Sequence, residues 1–155
     1  MLQNFFRNEN ISKKLKLRLK NTIIDRTLTY TSETWILTER DRKQTNIFER
    51  RVYRRIFGPV YDNEKENWRI LPNKEIYTLV KKLTVTGTVR LNRLCWFGHV
   101  QRMEENRIPK RVLYMNLGTT RLRGKPRNRW QDEVREDGRL VGGKRWKERV
   151  RKREE

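Results

Sequence analysis

The sequence predicts a mainly α-helical protein, with a small helical bundle over residues 1–103 and a basic, loosely ordered arm with short charged helices over residues 104–155. Apolar residues recur at intervals of three and four through most of the first part, which is the period of an amphipathic helix. After Asn106 this periodicity weakens, and residues 118–128 have none. With four prolines and no linker rich in serine and glycine, the chain is expected to be compact up to about Met103.

The first long helix is expected from Ser12 to about Tyr30. Leu15, Leu19 and Ile23 form an apolar stripe along it, and lysines and arginines fill the opposite face. This arrangement predicts that the leucine stripe faces the core.

The second long helix is the most regular amphipathic segment of the chain. Thr38 followed three residues later by Asp41 is typical of a helix start, and Gly58-Pro59 predicts its end. Four arginines lie between its apolar positions. The apolar positions recur every four residues, at Phe48, Val52 and Ile56.

The remaining segments are shorter. Residues 60–71 are polar and predict a connection anchored by Trp68, whereas residues 84–88 fit a strand, a turn or a helix start. Gly98 beside Trp96 predicts the close approach of a neighbouring element. Further helices are predicted over residues 74–83, 89–103, 112–117, 129–136 and 144–153.

The charge of the chain favours a polyanionic partner. Lys and Arg total 39 against 19 Asp and Glu, which gives a formal net charge of +20. Nucleic acid is the usual partner for such an excess. The apolar fraction of 34% is below the usual 45–50% or so, so the core is expected to be small.

Several functional classes are not expected. The single cysteine, Cys95, cannot form an intramolecular disulfide, and with the single histidine, His99, it cannot complete a four-ligand zinc site. No adjacent aspartate pair suits two-metal chemistry, and no nucleophile motif accompanies His99. We therefore expect no catalytic residue, no metal ligand and no cofactor. His99 is expected to be a partly buried ring that orients its surroundings.

The location of the protein is expected to be the nucleus or the cytoplasm. The sequence contains no run of 18 apolar residues, so no membrane-spanning helix is predicted, and the first residues do not resemble a signal peptide. The basic segment 144–153 fits a nuclear-import signal, a phosphate-binding patch or a solvated helix.

Nucleic-acid contact is the function that the basic residues predict. Residues 102–129 hold nine basic and two acidic residues, a local net charge of 9 − 2 = +7. Residues 121–127 resemble the Arg-Gly-Arg-Pro core of an AT-hook, which enters the minor groove of A·T-rich DNA, although a solvated linker fits the same pattern. The side chains predicted to contact nucleic acid are Arg50, Arg51, Arg54, Arg55, Arg102, Lys110, Arg111, Arg121, Arg123, Lys125, Arg127 and Arg129.

The five tryptophans are expected to divide into two groups. Trp35, Trp68 and Trp96 lie beside apolar residues or at helical spacing, which favours core packing. Trp130 and Trp146 are flanked by arginines, which favours more open positions where a ring can stack on an unpaired base.

Three stretches of the chain resemble a known family. Residues 90–103 and 121–130 contain, in order, Arg-Leu, a tryptophan, Gly-His-Val, Arg-Met, and then Arg-Gly-Lys-Pro-Arg before Arg-Trp. This order resembles the tail that follows the polymerase in non-LTR (LINE-like) retrotransposon proteins. Residues 30–35, Tyr-Thr-Ser-Glu-Thr-Trp, are similar to the Tyr-Gly-Ser-Glu-Thr-Trp segment in the thumb region of that family.

The resemblance is collinear over roughly residues 15–140. Phe48-Glu49, the segment 54–58 and Trp68-Arg69 continue it in the same order. The chain departs from the family at Thr31, where glycine is usual, and at Cys95 and Lys125, where arginine is common.

The resemblance implies a thumb-like helical body followed by an arginine-rich arm, both cut off from the polymerase catalytic site. The expected function is nucleic-acid binding, to RNA or DNA, by the carboxy-terminal part of a reverse transcriptase whose upstream polymerase domains are further possible partners. The parent activity that the resemblance implies is RNA-directed DNA synthesis. Two alternatives stay open: a free-standing basic DNA-binding protein with an AT-hook-like arm, and a retroelement relic without function.

Overall fold

The structure is mainly helical, as predicted, with one small hairpin. It is a computed structural model that describes residues 2–115 and 129–152, with side chains described within those ranges from residue 4 to residue 150. The helices are α1 (Leu2–Arg7), α2 (Lys13–Leu19), α3 (Asp25–Thr29), α4 (Glu39–Phe57), α5 (Asn73–Val80), α6 (Val85–Arg102), α7 (Ile108–Tyr114), α8 (Trp130–Gly142) and α9 (Trp146–Lys152). The strands are β1 (Val60–Asp62) and β2 (Asn67–Arg69).

The chain divides into two compact units, each described by itself. Unit 1 comprises residues 1–30 and 37–88, and unit 2 comprises residues 31–36 and 89–155. The predicted boundary at residue 103 coincides with the end of α6, whereas the division between the units falls inside that helix, after Thr88.

The core of unit 1 lies between α4 and the segments that flank it. It consists of one cluster of buried apolar side chains, against which Leu17, Leu19 and Ile24 pack from one side. The members of the cluster are Phe6, Val52, Tyr53, Ile56, Leu71 and Ile76.

The ends of α4 are where the sequence predicts them. Thr38 is the N-cap: its hydroxyl accepts a hydrogen bond from the Asp41 backbone N–H, and the Asp41 carboxylate accepts one from the Thr38 backbone N–H. Gly58 ends the helix at φ 72°, a left-handed conformation that favours glycine. Both signals are local in sequence, which is why they can be recognised without a fold.

The face that the first long helix buries is only partly the predicted one. Leu19 packs against the core as predicted. Leu15 and Ile23, however, are about half exposed, whereas Lys16 and Lys20 are buried. A π-helical turn over Lys20–Ile24 joins α2 to α3. This turn contains Lys20, whose buried ammonium group contacts carboxylates. A π-helical turn departs from the regular spacing of side chains around an α-helix.

Two further predictions needed correction. The segment 60–71 is not simply a connection, because it forms the antiparallel hairpin β1–β2, in which Tyr61 pairs with Trp68. Phe48, expected in the core, is 43% exposed, and its neighbour Glu49 is buried in its place. Residues 85–88 of the ambiguous segment are the start of α6. Pro109 occupies the first turn of α7, where proline is tolerated.

Unit 2 has its own core where α6, α8 and α9 meet. Leu94, Val134 and Trp146 are buried there, with Phe97 and Trp130 packed against them. Tyr114 of α7 donates its hydroxyl to Gln101 of α6 at 2.7 Å, and Gln131 of α8 donates to the Leu113 carbonyl of α7. Within the described residues, α7 to α9 are therefore packed helices of unit 2.

Glycines permit the closest helix contacts of unit 2. A Cβ at Gly98 would lie 2.8 Å from Val150 Cγ1, which confirms that a neighbouring element closely approaches this position. A Cβ at Gly138 would meet the Trp146 ring at 2.5 Å and 2.6 Å from Cε2 and Cε3. The two glycines thus allow α9 to lie against α6 and α8.

We expect Gly138→Ala to lower the free energy of unfolding of unit 2 by about 1–3 kcal/mol, because the added methyl group must displace the Trp146 ring. Urea denaturation followed by tryptophan fluorescence measures this loss. Gly87→Ala is the matched control, since Gly87 is also helical and its Cβ would lie no closer than 3.2 Å to Thr84 Oγ1. Equal losses from the two substitutions would contradict the packing assigned to Gly138.

Candidate nucleic-acid interface

Helix α4 carries a basic face in unit 1. Its buried side consists of Glu49, Val52, Tyr53 and Ile56. Because an α-helix has 3.6 residues per turn, residues about half a turn away from these positions lie on the opposite side of α4, and several of them are exposed cations. These exposed cations are Arg40, Lys43 and Arg51.

The four arginines predicted on α4 differ in their surroundings. Arg51 is exposed, while Arg50 and Arg55 are half-buried. Arg54 is engaged within unit 1, because its Nε donates to the Leu71 carbonyl at 3.2 Å and its Nη2 donates to Asn73 Oδ1 at 2.6 Å. Arg54 therefore joins α4 to the start of α5 and to the residue Leu71 before it. Lys43, which the prediction did not include, shares the exposed face with Arg51.

The basic residues predicted in unit 2 are not equivalent either. Arg102 is exposed, although its Nη1 donates to the Val150 carbonyl at 2.8 Å. Arg111 and Arg129 are exposed. Lys110 is buried: its Nζ donates to the Met103 carbonyl at 2.8 Å and lies 2.7 Å from Glu105 Oε1. Lys110 thus secures the loop between α6 and α7.

Part of the predicted arm cannot be placed. Arg121, Arg123, Lys125 and Arg127 lie outside the described residues. The AT-hook-like pattern therefore stays a prediction from sequence.

The tryptophans take nearly the reverse of their predicted positions. Trp68 is 69% exposed, Trp35 is 39% exposed and Trp96 is 38% exposed. Trp146, expected to be open, is only 6% exposed, and Trp130 is half-buried. The prediction for Trp146 relied on its flanking arginines and was wrong. The ring lies against glycines of α8, which have no side chain to occupy that space.

Four described residues of the segments that carry the family resemblance are joined in pairs by hydrogen bonds within unit 2. Asn92 of α6 donates to Ser32 Oγ at 3.1 Å, and the Trp130 indole N–H donates to the Glu33 carbonyl at 2.7 Å. The segment 31–36 is thereby attached to two helices that follow it by 60 and 97 residues. Thr31, at φ 54°, adopts the left-handed conformation, which explains why glycine suits this position in the resembling family.

The histidine is exposed rather than partly buried. The ring centroids of Trp96 and His99 lie 5.4 Å apart with an interplanar angle of 41°. His99 is exposed beside the exposed Cys95, so the expectation of a buried ring was wrong. The ring nevertheless contacts Trp96, the neighbourhood that it was expected to orient.

Two buried ionic clusters were not predicted from the sequence. In unit 1, the Lys20 Nζ is 2.9 Å from Asp25 Oδ1 and 3.1 Å from Glu49 Oε1, and it donates to the Tyr53 hydroxyl at 2.8 Å. Glu49 also accepts from the Val85 backbone N–H at 3.3 Å. Lys20 and Glu49 are each 1% exposed.

The second cluster lies in unit 2. The Arg93 Nη1 is 2.9 Å from both Glu133 Oε2 and Asp137 Oδ2, and the Arg90 Nε lies 3.3 Å from Asp137 Oδ1. Arg93, Glu133 and Asp137 are at most 1% exposed. No described residue accepts a hydrogen bond from Arg93 Nε. The cluster holds α6 against α8, so these charges belong to the fold rather than to the interface.

The clusters alter the pKa values of two groups. Burial by itself would lower the pKa of Lys20, but the hydrogen bonds to Tyr53 and Asp25 and the charge of Glu49 outweigh it and raise the pKa above its ordinary 10.5. Burial raises the pKa of Tyr53 above 10.0, although the Lys20 ammonium opposes this. Both groups therefore keep their protons at neutral pH.

Neither a metal-holding cluster nor a membrane-spanning helix is found among the described residues. Among them, no group of three or more His, Cys, Asp and Glu side chains is placed to hold a metal ion. None of the described helices combines the length and the apolar character needed to cross a membrane.

Sequence comparison finds a similarity to a transposon-derived protein. Over 126 residues, or 81% of its length, the chain is 25% identical to an uncharacterised transposon-derived protein of Caenorhabditis elegans. The chain is thus similar to a transposon-derived protein. It spans 44% of the length of that relative. No protein-family profile matches the chain, and no solved structure matches it.

Proposed function

We propose that this chain is a nucleic-acid-binding part of a retrotransposon-type reverse transcriptase, from the region that follows the polymerase palm. Binding, without bond-making chemistry, is the activity assigned to it. The transposon-derived relative supports the lineage. The ordered series of motifs favours the non-LTR type, and hydrogen bonds within unit 2 join residues 32 and 33 to Asn92 and Trp130, which belong to those motifs.

The observation that carries the binding proposal is the separation of buried and exposed charge. The buried carboxylates of Glu49, Glu133 and Asp137 are committed to internal cations. Lys43 and Arg51, by contrast, are exposed on α4 and form no ion pair within the described part of the chain. An exposed cation that is not paired with a carboxylate of the protein attracts a phosphate group. Binding of the cation to phosphate then releases counterions from the nucleic acid.

Salt-dependent binding tests this proposal. We expect single-stranded RNA, an RNA–DNA hybrid and duplex DNA to bind with affinities that fall steeply between about 50 and 200 mM salt, since about six phosphate contacts would cost about three decades. Fluorescence anisotropy of labelled oligonucleotides measures the slope. Strong preference for A·T-rich duplex would favour the alternative of an AT-hook protein, and no salt-dependent binding to any of the three would refute the proposal.

Charge-matched variants locate the interface. The pair Lys43→Gln and Arg51→Gln removes two cations from α4, and the pair Lys65→Gln and Lys74→Gln removes two exposed cations elsewhere in unit 1. Both double variants have a formal net charge of 20 − 2 = +18. We expect only the α4 pair to reduce the slope of log affinity against log salt, by about two. Equal reductions would mean that α4 is not a specific contact.

A further inference from the structure

We propose that unit 2 carries a platform on which unpaired bases of a single-stranded nucleic acid stack, with Trp96 as its principal ring. The aromatic platform consists of Trp35, Trp96 and His99. This inference rests on the proposed function and adds to it both the strandedness of the ligand and the residues that meet its bases.

Helix α6 carries aromatic side chains on two different sides. Phe97 packs with Leu94 towards α8 and α9, where its ring centroid lies 5.7 Å from that of Trp146 and 6.4 Å from that of Trp130. Trp96 and His99 are on the exposed side, with their rings in contact. The core of unit 2 thus already has its tryptophans, and the ring of Trp96 is left partly accessible to a ligand.

The segment 31–36 brings the second tryptophan to the same region. Asn92, which holds Ser32, precedes Trp96 by one helical turn and therefore lies on the same side of α6. Trp35 follows Ser32 by three residues and is 39% exposed. The hydrogen bonds from Asn92 to Ser32 and from Trp130 to Glu33 fix the backbone that carries Trp35. The rings are therefore presented by anchored elements, which lowers the entropic cost of binding.

The charge around the rings selects nucleic acid as the occupant. Arg102 is exposed three residues beyond His99 on α6. The acids nearest in sequence are Glu33, two residues before Trp35, and the pair at 104–105, of which Glu105 is paired with Lys110. Aromatic faces combined with cations that track phosphates are the arrangement that single-strand binding proteins use.

The exposed aromatic pair of unit 1 provides a contrast. Tyr61 and Trp68 of the hairpin lie 5.5 Å apart and are also exposed. The turn between their strands, however, contains Glu64 and Glu66 against a single Lys65. A phosphate chain is not attracted to this acidic hairpin, so Trp68 serves as a control for exposed tryptophan in general.

The experiment compares three probes of about 20 nucleotides per strand: oligothymidylate, an abasic oligonucleotide with the same number of phosphate groups, and a DNA duplex. We expect oligothymidylate to bind more tightly than the abasic strand. Trp96→Ala should weaken oligothymidylate binding at least about fivefold, the lower end of what one stacked base contributes, and should change abasic binding less than about twofold. Trp96→Phe should retain most of the affinity, Trp35→Ala should show a smaller loss, and Trp68→Ala should match the wild type.

The outcomes separate this inference from the proposed function. Equal binding of oligothymidylate and the abasic strand, or equal effects of Trp96→Ala and Trp68→Ala, would overturn the platform while leaving phosphate binding intact. Absence of salt-dependent binding to any probe would overturn the proposed function itself. Urea denaturation of each variant checks its folding, and Trp35→Ala tests the platform independently if Trp96→Ala unfolds unit 2.

Discussion

Replacing Arg93 by methionine is expected to lower the free energy of unfolding of unit 2 by about 3–5 kcal/mol. The side chain of Arg93 is 1% exposed, and its Nη1 lies 2.9 Å from two carboxylates that are themselves buried. Methionine fills much of the same volume but leaves the charge of Glu133 without this partner. Such a buried charge costs more than a lost surface pair because water cannot solvate it. Urea denaturation followed by circular dichroism measures the change.

Two variants establish that buried charge, rather than lost volume, is the cause. Adding Glu133→Gln to Arg93→Met should restore part of the lost stability, since the neutral amide carries no uncompensated charge. Arg135→Met is the surface control: Arg135 pairs with Asp132 at 3.3 Å, and both groups are exposed. Its expected cost is at most about 1 kcal/mol. A loss from Arg135→Met as large as that from Arg93→Met would contradict this account.

Replacing Lys20 by methionine should destabilise unit 1 by a similar amount, about 3–5 kcal/mol. The ammonium group of Lys20 meets Asp25, Glu49 and the Tyr53 hydroxyl together. Lys82 lies 3.2 Å from Asp25 Oδ2 but is 41% exposed, so Lys82→Met should cost under about 1 kcal/mol. Chemical denaturation of the two variants and of Lys20→Met with Glu49→Gln measures this difference. No rescue by Glu49→Gln would show that the cluster does not act through its charges.

The same cluster predicts how stability depends on alkaline pH. The folded protein binds the protons of Lys20 and Tyr53 more tightly than the unfolded chain, because the pKa values of both groups are raised on folding. Their contribution is complete below the unfolded pKa of about 10 and is lost as the pH rises through the folded values. Denaturation of Tyr53→Phe alongside the wild type above pH 10 should therefore show a shallower loss in the variant.

The net charge and the ends of α4 could be predicted from the sequence. Thr38 and Asp41 form the expected cap, and α4 ends at Gly58 as expected. Each of these signals depends on groups within a few residues of one another. The basic face of α4 was partly predicted for the same reason, although the sequence alone did not distinguish the exposed Arg51 from Arg54, whose partner Asn73 lies 19 residues away.

The side chains that meet across long separations could not be predicted. Hydrophobic periodicity predicted Leu15 rather than Lys20 in the core. It takes no account of the Glu49 carboxylate, which lies 29 residues further along the chain and accepts a hydrogen bond from buried Lys20. Arg93 and Glu133 are separated by 40 residues. The tryptophans were misassigned because their immediate neighbours do not determine which of them faces a glycine on another helix.

The sequence by itself determined that the chain is helical and that it carries an excess of positive charge. These properties depend on composition and on local backbone preferences. Only the tertiary structure decided which charges are buried, which tryptophans remain accessible, and that residues 31–36 join α6 and α8. Burial is decided by partners distant in the chain, and a linear pattern carries no information about which of them will meet.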